Sequence, residues 1–165
     1  VVILSGMPGA TFDRAESATL NQHVSLVRGN FLSNLKLCNS ELFEITEIKS
    51  VPFSQPMELM KTSKPGVFFV VTYDESGAID TININVDGNL PYSYIKDVYA
   101  AIMESTFLYP SVPKTQTVDA HLSAINIHQG TTNDTMFTSG SGDIIGLHKE
   151  VHGNIITITL YNKSR

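Results

Sequence analysis

Cysteine is nearly absent from this 165-residue sequence: Cys38 stands alone, so no intrachain disulfide can form. With Leu35 and Leu37 beside it, Cys38 has the setting of a small buried apolar residue. A nucleophilic role would need a histidine and an orienting partner brought close by the fold. Long apolar runs are missing as well. No stretch approaches the roughly 18 residues of a membrane span, and Val1 to Leu4 has neither the length nor a preceding basic segment of a signal peptide. The chain is therefore expected to be a mature or trimmed product, or a piece cut from something longer. Charge is also sparse. Eleven Lys and Arg against sixteen Asp and Glu leave a net −5, which argues against a nucleic-acid partner. The polar surface is built instead from sixteen serines, fifteen threonines and eleven asparagines, a composition commoner outside the cell. With 42% apolar residues the chain can bury a core of its own, which excludes a disordered, collagen-like or disulfide-stapled class.

The first periodic element is a helix expected from Asp13 to Leu37. Asp13 and Glu16 have the capping-box spacing, and Leu20, Val24, Val27, Phe31 and Leu35 form one stripe on a 3.6-residue period. Leu42 to Lys49 has a mixed pattern, a strand or an irregular edge, and Pro56 to Lys61 has room for one helical turn. Val67 to Val71 is a continuous β-branched and aromatic run, expected as a central strand. After the turn at Asp74 to Gly77, Ile82, Ile84 and Val86 alternate with Thr81, Asn83 and Asn85, a strand with one wet face. Pro91 then opens a second helix, Tyr92 to Ser105, striped by Ile95, Val98, Ala101 and Ile102. Ala120 to Ile127 alternates as a strand would, and Gly130 to Gly142 has the composition of a loop. Ile144 to Val151 and Ile155 to Tyr161, joined by His152-Gly153-Asn154, form a closing hairpin. The fold class expected is α+β: a long N-terminal amphipathic helix packed on a mainly antiparallel sheet, with a second helix after the central hairpin. Leu20, Val24, Val27 and Phe31 are then expected against Ile82, Ile84, Ile156 and Ile158.

Candidate chemistry is thin. Ser5-Gly6-Met7-Pro8-Gly9-Ala10 begins like a phosphate-binding loop, but Thr11, Phe12 and Asp13 follow. The lysine and the metal-binding hydroxyl are missing, and Asp13 brings negative charge to the phosphate position. His148 and His152 have the i, i+4 spacing that lets two ligands share a helix face. On the hairpin expected here they lie about 13 Å apart and face solvent. Asp119, His121, His128, Asp134 and Asp143 include the residue types of a hydrolytic constellation, yet such sets arise by chance among sixteen serines and five histidines. Ser139-Gly140-Ser141-Gly142 lacks the strand-to-helix context of a nucleophile elbow. Tyr92, Tyr94 and Tyr99 fit core and rim packing of the second helix, and Asn133 and Asn162 head two N-glycosylation sequons. No catalytic, cofactor-binding or metal site is therefore assigned from the sequence.

The layout resembles the type IV pilins, nearest the type IVb pilins and minor pilins. The apolar stub Val1 to Leu4 with Pro8, followed by the helix at 13–37, resembles the tail of a pilin's membrane-spanning segment leading into its amphipathic half. Asp80 to Ile95, passing through Gly88-Asn89-Leu90-Pro91, resembles the strand, Gly-Leu-Pro, helix passage of the type IVb group. A Gly/Ser/Thr-rich loop before the last strand completes the likeness. The resemblance implies one pilin-like domain over 1–165, with an apolar lead (1–12), a first helix (13–37) and a sheet-containing head (40–165). It further implies a non-enzymatic, exported structural subunit of an extracellular or cell-surface filament, with an adhesive or assembly role. Its partners would be other filament subunits or a host-surface receptor, and it would meet a membrane only through an upstream segment. A viral or phage coat or attachment domain and a small hydrolase are the alternatives.

Overall fold

A computed structural model describes residues 28–38, 41–106, 108 and 114–164. The strands expected at Val67 and Ile79 set the frame, because each strand alternates between a face that packs inward and one that does not. The described elements are α1 (Arg28–Cys38), β1 (Ile45–Val51), β2 (Met57–Thr62), β3 (Val67–Tyr73) and β4 (Ile79–Asp87). They continue through α2 (Tyr92–Ser105), α3 (Lys114–Ala124), β5 (Asn133–Thr138), β6 (Ile144–His152) and β7 (Ile155–Asn162). The strands form one seven-stranded sheet, antiparallel at every pairing, in the order β1-β2-β3-β4-β7-β6-β5.

One face of that sheet carries the core. Met60, Phe69, Val71, Ile82, Ile84, Ile158, Leu160, Ile145 and Leu147 are buried there, beneath Ile95, Val98, Tyr99 and Ile102 of α2, Val118 and Leu122 of α3, and Phe31 and Leu35 of α1. α2 provides most of the helical cover, burying seven of its residues, and it runs over the bounds that its apolar spacing predicts. Pro91 sits just before it, where its carbonyl accepts from the Tyr94 and Ile95 N–H groups. The β6–β7 turn needs Gly153, whose φ is +63°, to reverse the chain in two residues.

The expected architecture requires correction. Among the described residues the sheet predominates, three short helices lie on it, and no long N-terminal helix is shown. α1 spans eleven residues, and the expected helix over 13–27, with Leu20, Val24 and Val27, lies outside the described residues. Its two core anchors are Phe31 and Leu35, while Leu37 is 82% exposed, so α2 is the helix that covers most of the apolar sheet face. Phe31 does share one core with Ile82, Ile84, Ile156 and Ile158.

Three shorter expectations also fall. The helical turn proposed at Pro56 to Lys61 is strand β2, held along both edges by β1 and β3. The strand proposed at Ala120 to Ile127 is largely helix. Its inward residues are Val118, His121, Leu122 and Ile125, a spacing of three, one and three that fits 3.6 residues per turn. The loop proposed at Gly130 to Gly142 contains β5, whose alternating half-buried and exposed residues suit an edge strand.

Candidate functional site

The face opposite the helices lacks cover among the described residues, and its side chains satisfy one another. Thr72 and Thr81 join hydroxyl to hydroxyl at 2.6 Å across β3 and β4. The Asn83 amide donates to Thr159 Oγ1 at 2.8 Å, and Thr157 Oγ1 donates to Asn85 Oδ1 at 2.7 Å, tying β4 to β7. Asn85 in turn donates to Asn83 Oδ1 at 2.9 Å. These are the outward halves of the alternations in β4 and β7, a polar strip bonded across strands, beside which Leu59, Phe68 and Val70 lie half-buried on the same face.

Toward β5 the same face becomes ionic. Register places Asp134 opposite His148, and their side chains meet with Oδ1 2.6 Å from Nδ1. His148 Nε2 lies 2.8 Å from Glu150 Oε2, and His152 Nε2 lies 2.9 Å from Glu150 Oε1. Residues 148, 150 and 152 project from one face of β6, so Glu150 bridges the two histidines. The sequence placed these histidines apart on a hairpin; it is the glutamate between them that joins them. Hydrogen bonds to Glu150 and then Asp134 raise the His148 pKa, and bonds from His148 and His152 lower that of Glu150. Flanked by carboxylates on both ring nitrogens, His148 favours its cationic form.

The other candidates disperse. His121 is buried under α3, with Nδ1 2.9 Å from the Tyr99 hydroxyl and its ring 4.1 Å from that of Phe137. Burial pushes its pKa down to about 4, so it packs as a neutral ring. His128 lies against the Tyr92 ring at 4.9 Å, while Asp119 accepts from the Tyr92 hydroxyl and Lys96 Nζ at 3.1 Å each. Asp143 belongs to a turn in which Ser139 Oγ meets Ser141 Oγ at 2.9 Å and Ser141 Oγ donates to Asp143 Oδ2 at 3.2 Å. Asp119 and His128 thus meet through Tyr92, while His121, Asp134 and Asp143 lie in other neighbourhoods, and these hydrogen bonds join no serine to a histidine. Tyr94 donates to the Leu42 carbonyl at 2.6 Å, and all three tyrosines serve packing and cross-element bonds. Cys38 is half-buried, Asn162 is buried, and the 5–10 segment lies outside the described residues.

Two polar groups went unnoticed in the sequence. Lys149 is fully buried on the helix-side face of β6, where its Nζ donates at 2.7 Å to the carbonyls of Asn126 and Gln129. Loss of water lowers its pKa. The signal was there, since Lys149 occupies the inward phase of Ile145, Leu147 and Val151. Glu58 accepts from Arg28 Nε at 2.8 Å and from the Tyr73 hydroxyl at 2.6 Å, anchoring α1 to the sheet. These three line a shallow cleft of about 430 Å³ with Asp74 and Glu75. Among the described residues, no group of three or more His, Cys, Asp or Glu side chains is placed to hold a metal ion. The chain matches no protein-family model, no curated protein and no solved structure.

Proposed function

We propose that this chain is a non-enzymatic structural subunit that acts by contact at the cell surface or outside the cell, in the manner of a pilin head. The observation that carries the reading is the sheet face without cover among the described residues, where a strip of Thr and Asn side chains on β3, β4 and β7 is mutually bonded. Such a face offers a fixed, wettable surface to a partner at little ordering cost, and side chains already bonded to one another are poorly placed to do chemistry. The hydrogen bonds of His121, His148 and His152 go to Tyr99 and to carboxylates rather than to a serine, which favours the same reading over the hydrolase. Among the described residues no helix is long and apolar enough to cross a membrane; support for the filament role comes from the passage of β4 through Gly88-Asn89-Leu90-Pro91 into α2 and from the hydroxyl-rich composition.

The test is localisation in the cells that make the protein. Antibodies against this chain should label material released by shearing, and electron microscopy should place the label on surface filaments. Label on virus or phage particles would transfer the assignment to a coat or attachment protein. Label confined to the cell interior, with turnover of an ester or peptide substrate, would overturn it.

A further inference from the structure

The two ends of the sheet differ in how they meet solvent. An edge strand turns every second N–H and C=O outward and will accept another strand unless something discourages it. β1 carries such discouragement: Glu47 pairs with Lys61 at 3.3 Å, Lys49 is exposed, and Pro52 follows directly. β5, Asn-Asp-Thr-Met-Phe-Thr, has neither lysine nor proline, and its one charge, Asp134, is engaged with His148. Among the described residues no backbone hydrogen bond reaches β5 from outside the sheet. Among the described residues, two of the four large apolar side chains that stand exposed are at this end of the sheet, Met136 of β5 at 56% and Ile144 of β6 at 40%.

From these observations we infer that β5 is a self-association edge, at which a second copy of this chain adds its own β5 in antiparallel register about a two-fold axis. Antiparallel neighbours must share a face, so residue pairs across the axis have the same parity. The register centred on Asp134 sets like charges opposite each other and is disfavoured. The register centred on Met136 pairs Met136 with its copy, Thr135 with Phe137 and Asp134 with Thr138. It also prolongs an apolar row, because Gly146 opposite Met136 lacks a side chain and the Tyr161 ring lies over it. Tyr161, Met136 and their two copies would then line one seam across the joined sheets. Six residues a side are far fewer than the about 20 to 30 of a standard interface, so the dimer is weak and concentration-dependent.

The test begins with the unaltered full chain in sedimentation velocity, from about 10 μM to 1 mM. The weight-average coefficient should rise toward that of a dimer, and Met136→Lys, a change at an exposed side chain, should hold it at the monomer value. In a Cys38→Ala background, Met136→Cys should form a disulfide dimer under mild oxidation about tenfold faster or more than Thr46→Cys on β1, since pairing sets the two thiols at millimolar effective concentration. A coefficient that stays flat to 1 mM would overturn the inference. So would association that survives Met136→Lys, or equal cross-linking at the two edges.

Discussion

Acid should loosen this fold through one histidine in particular. His121 is only 8% exposed, wedged between Tyr99 and Phe137 where α2, α3 and β5 meet, and its pKa falls from 6.5 to about 4. A depressed histidine pKa means that the unfolded chain binds a proton the folded chain refuses. Stability is therefore lost as pH falls through 6.5 and continues to fall until about 4. At pH 5 the unfolded imidazole is almost wholly protonated while the folded one is mostly neutral. The linkage integral from pH 7 to pH 5 then comes to about 2 kcal/mol. Carboxylates and His148 contribute their own slopes, so the quantity to isolate is a difference between two proteins. Urea unfolding of the unaltered chain and of His121→Gln, each at pH 7, 6 and 5, supplies it. The unaltered chain should lose about 2 kcal/mol more than the variant over that interval, whatever the variant's stability at pH 7. NMR of the His121 ring protons in the unaltered chain should show a titration midpoint well below 6.5. Parallel stability curves, or a ring titrating near 6.5, would refute the account of a neutral buried imidazole.

His148 should behave oppositely: its pKa is raised, so its contribution is complete below 6.5, fades as pH rises through the raised folded value, and shrinks in Asp134→Asn, as NMR titration of both proteins will show. Lys149→Met keeps most of the buried volume but strips two carbonyls of their donor. It should cost about 2–3 kcal/mol in a urea melt, with Lys149→Ala costing more because a cavity is added. Gly146→Ala would drive a methyl group into the Tyr161 ring, for a loss of about 1–3 kcal/mol that pairing with Tyr161→Ala partly restores. Phe31→Ala should cost about 3–5 kcal/mol, and a loss below about 1 would show that α1 is not seated in the core.

Local pattern decided those elements in which one face is apolar and the other is not. Ile82, Ile84 and Val86 against Thr81, Asn83 and Asn85 announce β4, and Ile95, Val98 and Ile102 announce α2, because burial and chain periodicity coincide there. The pattern misled where two periods fit the same letters. Ala120 to Ile127 satisfies an alternation, yet Val118, His121, Leu122 and Ile125 also satisfy a helical turn, and contacts with α2 and β5 chose the helix. β2 and β5 carried weak patterns because each takes its strand conformation from pairing, β2 with β1 and β3 on its two edges and β5 with β6 on one.

For the candidate site the division has a similar cause. Composition and alternation determine a surface of hydroxyls and amides, and they determine that residues 148, 150 and 152 share a face. That Asp134 stands opposite His148, or that Asn83 meets Thr159 seventy-six residues later, depends on strand order and register, which no local window contains. The fate of the histidines was decided the same way. His121 and His148 are the same side chain in the sequence, and only the fold buries one beside a tyrosine and sets the other between two carboxylates. A pKa follows from desolvation and nearby charge, and both belong to the neighbours that the tertiary structure supplies.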